Sequence, residues 1–197
     1  MLSPSLFLGS RVGSFDSSIN LKNAKLVIQP SWRFRGTQDA LQKIWMRSSS
    51  AVIFFYGALK GNPGISRAGG MVYSPDSLTK SSYSWGIGSL TNNQAECYSL
   101  LMASQIALEN GYDFVQFFGD SEMLIKAINS VDSFSNFALN TILKRIRKTL
   151  KGFDKVESFH ILRGLNNLAD ALANKSCFLP QGSLCINGAA NFFHPIP

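Results

Sequence analysis

Three strand-like segments follow one another closely in this chain, and their spacing constrains the fold more than any other feature. The first, residues 51–56 (AVIFFY), is an apolar run that ends in a Gly, Asn and Pro cluster at residues 57–64, which is predicted to be a loop. The second and third, residues 68–73 and 82–88, are separated by a Pro-Asp turn. Because such short connections cannot cross over to a parallel neighbour, the three strands are predicted to be antiparallel.

Beyond these strands, the spacing of the hydrophobic residues alternates between the spacing typical of a helix and that typical of a strand. The predicted segments are a helix from Ala95 to Leu108, a strand at 114–118, a helix after Ser121, a helix at 137–153, a strand at 156–162 and a helix at 167–178. The order strand-strand-strand-helix-strand-helix-helix-strand-helix predicts an α/β fold, with a five-stranded mixed sheet flanked by helices.

Composition divides the chain into three parts. Residues 1–50 carry seven basic and two acidic residues and ten serines, residues 51–178 have the globular pattern, and residues 179–197 contain three prolines and are predicted to be an irregular tail. The basic, Ser-rich extension is typical both of a transit peptide for a mitochondrion or plastid and of a basic arm in a nuclear or cytoplasmic protein. One helix is predicted within it, from Gln38 to Arg47, with Thr37 as its cap.

Charge and cysteine content restrict the partners. The net charge of +7, from 19 basic and 12 acidic residues, favours an anionic partner such as nucleic acid. Three cysteines without a CxxC spacing argue against a disulfide scaffold and against a four-ligand zinc site. The chain has no apolar run of the roughly 18 residues that a membrane span requires, so we expect no membrane partner.

Three acidic residues lie where predicted strands end or helices begin. Glu96 lies in the first turn of the first main helix, Asp120 follows the fourth strand, and Asp170 lies near the start of the last helix. Carboxylates that converge without basic partners favour a hard cation such as Mg²⁺, and paired Mg²⁺ ions suit phosphodiester cleavage. Each acid alone is equally typical of a helix N-terminus, where the helix dipole favours negative charge.

Four motifs make the chemistry more specific. They are residues 57–64 (GALKGNPG), 91–96 (TNNQAE), 119–121 (GDS) and 163–173 (RGLNNLADALA). Their order and spacing resemble the ribonuclease H-like family, and most closely its plant and non-LTR retroelement group. The resemblance implies a sheet with strand order 3-2-1-4-5 and cleavage of the RNA strand of RNA–DNA hybrids. It also implies Mg²⁺ or Mn²⁺ as cofactor and Glu96, Asp120 and Asp170 as catalytic and metal-binding residues.

One position departs from the family pattern. The family has an Asp before the glycine of its first motif, where it bridges both metal ions, and this chain has Tyr56. A phenol has an ordinary pKa of about 10 and is a poor replacement for a carboxylate at neutral pH. We therefore expect the metal to be weakly bound or absent, and cleavage to be impaired.

Nucleic-acid binding does not depend on that Asp. The resemblance implies that the first and second motifs contact the minor groove of the hybrid, for which amide groups are suited. The expected binding residues are Lys60, Gly61, Asn62, Asn92, Asn93 and Arg163. The helix from Phe137 adds five basic residues that are typical either of a phosphate grip or of a solvated helix face: Lys144, Arg145, Arg147, Lys148 and Lys151. His160 lies in a strand-like segment and is interpreted as structural.

Three functions follow from these observations. The first is a ribonuclease H-like protein that binds RNA–DNA hybrid or duplex RNA with impaired or absent cleavage. The second is an active Mg²⁺-dependent endonuclease that cleaves the RNA strand of hybrids despite Tyr56. The third is a catalytically dead scaffold subunit of an organellar nucleoprotein assembly. Hybrid cleavage distinguishes the first two, and weak hybrid affinity together with protein partners would identify the third.

Overall fold

The computed structural model describes residues 25–26, 32–46, 49–61 and 64–193. In these ranges the strands are β1 (Lys25–Leu26), β2 (Ala51–Gly61), β3 (Gly64–Tyr73), β4 (Lys80–Leu90), β5 (Phe114–Gly119), β6 (Lys155–His160), β7 (Ser183–Ile186) and β8 (Ala189–Phe193). The α-helices are α1 (Gln38–Met46), α2 (Asn92–Glu109), α3 (Glu122–Ile128), α4 (Phe137–Leu150) and α5 (Asn167–Lys175), with single 3₁₀ turns at Arg163–Leu165 and Ser176–Phe178. No helix within the described ranges is long and apolar enough to cross a membrane.

The eight strands of the described ranges form one mixed sheet. Its order is β1-β6-β5-β2-β3-β4-β7-β8, so the five predicted strands lie at its centre in the expected 3-2-1-4-5 order. The strand pairs β2–β3 and β3–β4 are antiparallel, whereas β2–β5 and β5–β6 are parallel. The predicted α/β ribonuclease H-like fold is therefore confirmed.

Alternate residues of β2 belong to two separate hydrophobic cores. Ile53 and Phe55 pack in the larger core, which contains the buried faces of α2, α3 and α4. Phe54 and Tyr56 pack in a smaller core with α1 and α5. This division follows from the two-residue period of a strand, which sends neighbouring side chains to opposite faces of the sheet.

Glycine allows α5 to lie directly on the sheet. A Cβ atom at Gly69 of β3 would be 2.3 Å from the backbone nitrogen of Ala173, well inside van der Waals contact. The absence of a side chain therefore brings the helix that carries Asp170 against the strand that pairs with Tyr56.

The predicted loop at residues 57–64 is largely strand. Gly57 to Gly61 pair in antiparallel register with Ala68 to Gly64. The two strands are connected by residues 62–63, which lie outside the described residues. The prediction was wrong because the glycines of this segment suggest a loop, whereas in the structure they continue the backbone ladder of the hairpin.

The predicted irregular tail also contains regular structure. Strands β7 and β8 form a hairpin that extends the sheet beyond β4. Asn187 and Gly188 adopt positive φ angles of 51° and 81°, as a type I′ turn requires. Asn187 also exchanges two hydrogen bonds with the backbone of Ser82, 2.7 and 2.9 Å long. The prediction failed because the prolines outweighed the Asn-Gly turn signal.

Part of the predicted N-terminal extension packs onto the domain. Helix α1 forms as predicted, with the hydroxyl of Thr37 accepting a hydrogen bond from the Ala40 amide at 3.3 Å, whereas the predicted last residue, Arg47, lies outside the described residues. Leu41 is fully buried in the smaller core. The His160 amide donates to the Trp32 carbonyl, 2.7 Å away, so residues preceding α1 run along β6.

Leu41→Ala is expected to lower the free energy of unfolding by about 2 kcal/mol, because it removes buried methyl groups and leaves a cavity in the smaller core. Gln42→Ala, the exposed neighbour on the same helix, should change it by less than about 0.5 kcal/mol. Urea unfolding of the full chain measures both values. Equal effects of the two substitutions would show that α1 does not contribute to the core.

Candidate functional site

Tyr56 lies at the centre of the candidate site and is held at both ends. Its side chain is 4% exposed, and its backbone amide donates to the Ser99 hydroxyl at 3.2 Å. Its phenolic oxygen accepts a hydrogen bond of 2.6 Å from Nη2 of Arg163, whose guanidinium carbon lies 5.5 Å from the ring centroid. The hydroxyl of the Tyr56 side chain is therefore bound to a cation.

Glu96 is brought beside Tyr56 by a close contact between β2 and α2. A Cβ atom at Gly57 would lie 2.2 Å from the backbone nitrogen of Glu96, so the helix can approach this strand only at a glycine. Glu96 is 4% exposed and accepts a hydrogen bond from the Gly57 amide. Its Oε2 atom has no hydrogen-bond partner among the described residues. Burial, followed by the nearby charge of Asp120, raises the pKa of Glu96 well above its usual value.

Asp120 and Asp170 reach the site from β5 and α5. Asp120 directly follows β5, and its Oδ1 accepts a 2.9 Å hydrogen bond from the side-chain amide of Asn166. The same amide donates to the carbonyl of Phe55, also at 2.9 Å. Asp170 lies in the first turn of α5. Asn166 thus links the end of β5 to β2 and to the start of α5.

The three carboxylates all act on the Tyr56 hydroxyl. Burial, followed by the charge of Asp170, raises the pKa of Tyr56 to about 12; Asp120 and Glu96 add to the increase, and Arg163 opposes it. Tyr56 is therefore a neutral phenol at physiological pH. It supplies a hydroxyl group at the position where the family pattern has a negative charge.

The residues present do not fit a pair of divalent metal ions. In the described part of the chain, no three His, Cys, Asp or Glu side chains are grouped so that they could hold one ion. The central position is a neutral phenol, and the group bound to it is the cationic Arg163. A second positive charge would be repelled there, whereas Mg²⁺ sites are built from carboxylate and other oxygen ligands.

Glu96→Gln is expected to stabilise the protein, increasingly so as the pH rises. An unfolded Glu has a pKa of about 4.3, and the folded-state value is higher. The folded chain therefore keeps a proton that the unfolded chain loses, and wild-type stability falls as the pH rises from about 4.3 through the folded-state pKa.

Thermal unfolding between about pH 4 and pH 8 measures this difference, because Gln does not ionise. Glu122→Gln is the control with the opposite sign, since a hydrogen bond from Arg33 lowers the pKa of Glu122. Parallel pH profiles for wild type and Glu96→Gln would contradict the assignment of a raised pKa to Glu96.

The structure describes the predicted binding residues to different extents. Asn92 and Asn93 are exposed in the first turn of α2, which begins at a capping box between Thr91 and Gln94. Arg163 contacts Tyr56 directly. The backbone of Lys60 and Gly61 belongs to β2, but the side chain of Lys60 and all of Asn62 lie outside the described residues.

One basic residue of α4 is committed to internal contacts. Nη2 of Arg147 donates to the carbonyls of Ala127, Ser130 and Asp132 at 2.7, 3.0 and 2.5 Å. Arg147 therefore fixes the connection between α3 and α4. The exposed lysines of this helix and its C-terminal cap are Lys144, Lys148 and Lys151.

His160 is packed inside the fold. It is 7% exposed and makes an edge contact with Trp32 at a centroid distance of 6.4 Å. Its backbone pairs with residues Trp32 and Phe34. These contacts agree with the structural role predicted for it.

Sequence reasoning missed Asn166 as a site residue. Its amide joins Phe55 and Asp120, and Asn166 is 1% exposed. The signal was present, because the last of the four motifs has an asparagine at this position. Buried side-chain amides generally form specific hydrogen bonds. The asparagine that precedes the last helix in this motif could therefore have been assigned a structural role from the sequence.

Comparison with known proteins agrees with this architecture. The Reverse transcriptase-like family model matches residues 54–176. The chain is 35% identical over 123 residues to ribonuclease HI of Halobacterium salinarum and 29% identical over 126 residues to a putative ribonuclease H protein of Arabidopsis thaliana. The matches span 62% and 20% of the length of these two relatives.

Solved structures give the same result. The crystal structure of RNase H1 from Halobacterium salinarum aligns with a TM-score of 0.59 at 34% identity, covering 64% of this chain and 96% of the archaeal one. LC11-RNase H1, isolated from compost and crystallised with an RNA/DNA hybrid, aligns with a TM-score of 0.58 at 26% identity, covering 64% of this chain and 96% of that one. With a family model matched over more than half of its length and ribonucleases H among its relatives, the chain belongs to the ribonuclease H-like family.

Proposed function

We propose that this protein binds RNA–DNA hybrid or duplex RNA and cleaves it slowly or not at all. The observation that carries the proposal is the hydrogen bond of 2.6 Å between Arg163 and the hydroxyl of Tyr56, in the midst of Glu96, Asp120 and Asp170. Cleavage by paired metal ions depends on ligands that hold both ions in place. A neutral phenol tied to a guanidinium provides no such ligand, so Mg²⁺ or Mn²⁺ is expected to bind weakly or not at all.

The proposed binding surface is independent of the altered position. Asn92 and Asn93 are exposed at the start of α2, where amide side chains can contact base edges and 2′-hydroxyl groups. The complex of LC11-RNase H1 with an RNA/DNA hybrid supports a hybrid as the ligand of this fold. The similarity to the putative ribonuclease H protein of Arabidopsis thaliana supports membership of the plant group.

Hybrid binding is expected to weaken steeply with salt, because phosphate contacts release bound counterions. Each neutralised phosphate contributes a slope of about −0.9 to the logarithm of affinity against the logarithm of salt concentration. Lys148→Gln should reduce that slope by about one unit, since Lys148 is exposed on α4.

Lys80→Gln is the matched control, because it removes the same charge at a position away from Tyr56. Lys80 is the first residue of β4 and pairs with Tyr73, at the far end of the hairpin from Tyr56. Fluorescence anisotropy with a labelled hybrid, in EDTA and at several salt concentrations, measures both slopes. Failure of the wild-type protein to bind at low salt would reject hybrid binding and favour the scaffold function.

A further inference from the structure

We propose that a cavity between α1 and the start of α5 is a binding pocket for a single unpaired nucleobase. The cavity has a volume of about 470 Å³ and lies between Gln38 and Gln42 of α1 and residues 164–169. Small-ligand sites have volumes of about 300–1,000 Å³, so a nucleobase or nucleoside is of suitable size. This pocket is additional to the proposed hybrid-binding surface and depends on the N-terminal segment.

One wall of the cavity is formed by α1. Leu41 is fully buried in the smaller core, which holds α1 against this face of the sheet. Gln38 and Gln42 are four residues apart and therefore lie on the same face of the helix. Both are exposed, and both line the cavity. The packing of α1 thus supplies two amide side chains to a pocket that the sheet and α5 alone would leave open.

Aromatic side chains form the wall on the side of the sheet. Phe54 and Tyr73 line the cavity and make an edge contact with each other at a centroid distance of 6.2 Å. Phe54 also stacks on Phe118, and Phe118 stacks on Phe159, at centroid distances of 5.2 and 5.1 Å. This row of rings supports Phe54 from β5 and β6. Because aromatic rings favour stacked and edge contacts with other rings, the wall favours a planar ligand.

Amide groups from the start of α5 complete the polar lining. Asn166 and Asn167 both line the cavity. Asn166 is 1% exposed, and its Oδ1 has no hydrogen-bond partner among the described residues. Although Asn166 is the N-cap of α5, its side chain makes no capping hydrogen bond. Buried polar atoms generally have a partner, so this acceptor is suited to an N–H donor of a bound ligand.

Charge restricts the ligand further. The residues that line the cavity in the described part of the chain include no charged side chain, so a phosphate or carboxylate would find no ion pair there. A nucleobase is neutral and planar and carries donors and acceptors on its edge, with which Asn and Gln side chains pair, as they do with adenine. Residues 164–169 connect Arg163 to Asp170, so the base can come from an unpaired end of a bound strand or from a free nucleoside.

Calorimetric titration of the full chain with adenosine tests the pocket without nucleic acid. The wild type should bind adenosine with a Kd below about 1 mM, and Gln38→Ala/Gln42→Ala should bind it at least ~tenfold more weakly. Both glutamines are exposed, so the double variant should fold. Lys43→Ala is the control, because Lys43 is exposed on the same helix but does not line the cavity, and its affinity should stay within about twofold. Ribose 5-phosphate, which lacks the base, should not compete.

A second titration identifies the source of the base. Fluorescence anisotropy compares a blunt hybrid with the same hybrid carrying a short unpaired run of adenosines. A preference for the overhang that Gln38→Ala/Gln42→Ala loses identifies a strand end, and adenosine binding without that preference identifies a free nucleoside.

The outcomes for the pocket and for hybrid binding are separate. Absence of adenosine binding together with equal affinity for the two hybrids would overturn the pocket, as would unchanged binding of both ligands by Gln38→Ala/Gln42→Ala or equal competition by ribose 5-phosphate. Failure of the blunt hybrid to bind would reject the proposed function, and the adenosine titration would still decide whether the pocket binds a base.

Discussion

Tyr56→Asp is expected to increase Mg²⁺-dependent cleavage of an RNA–DNA hybrid at least ~100-fold over the wild type. The substitution replaces a neutral hydroxyl by a carboxylate among Glu96, Asp120 and Asp170 and removes the phenolic oxygen to which Arg163 donates. A hundredfold change in rate corresponds to about 2.7 kcal/mol of transition-state stabilisation, which is within the several kcal/mol that metal ions supply. Single-turnover cleavage of a labelled hybrid measures the rates.

Two controls separate this effect from loss of the tyrosine ring. Tyr56→Phe removes the hydroxyl without adding a ligand and should cleave no faster than the wild type. Asp120→Asn combined with Tyr56→Asp should abolish the gain, because the new carboxylate acts only together with the existing ones. Equal rates for wild type and Tyr56→Asp would reject the account of an impaired site.

Gly57→Ala is expected to destabilise the protein by about 3 kcal/mol, because the new methyl group would overlap backbone atoms rather than flexible side chains. The nearest atoms are the carbonyl carbon of Ala95 and the amide nitrogen of Glu96, and the methyl carbon would lie 2.2 Å from each of them. Strand β2 and helix α2 would have to separate, and Glu96 would move away from Tyr56. Urea denaturation gives the free energy of unfolding.

Gly164→Ala is the matched control for this substitution. A Cβ atom at Gly164 meets nothing within 4 Å, so the same chemical change should alter the free energy of unfolding by less than about 0.5 kcal/mol. A similar loss of stability in the two variants would show that Gly57 does not set the distance between the strand and the helix.

The central sheet could be predicted from sequence because local patterns and motif order agreed. The apolar run at residues 51–56 and the helical spacing after Thr91 each specify an element that the structure contains. The strand order followed from the resemblance to ribonucleases H, since periodicity alone does not determine which strands are neighbours.

The peripheral elements could not be predicted in the same way. The hairpin of β7 and β8 and the packing of Leu41 depend on contacts with distant parts of the chain. Such contacts leave little periodic signal in segments of four or five residues. The import signal predicted for residues 1–50 stays a prediction, and residues 1–24, 27–31 and 47–48 of that segment lie outside the described residues.

The sequence was sufficient to predict which residues belong to the site, but not which of them contact each other. The motifs identified Glu96, Asp120 and Asp170 as candidate site residues, and the departure at Tyr56 was evident from the sequence. The bond between Tyr56 and Arg163 was not, because the two residues are 107 positions apart and neither carries a pattern that indicates the other.

The most direct test of the account uses wild-type protein and one labelled hybrid in a single reaction with Mg²⁺. A native gel measures the bound hybrid, and a denaturing gel of the same sample measures cut RNA. We expect a saturable complex in which the RNA strand stays intact over times at which Tyr56→Asp cuts it completely. Cleavage of the bound RNA by the wild type at the rate of Tyr56→Asp would contradict the account.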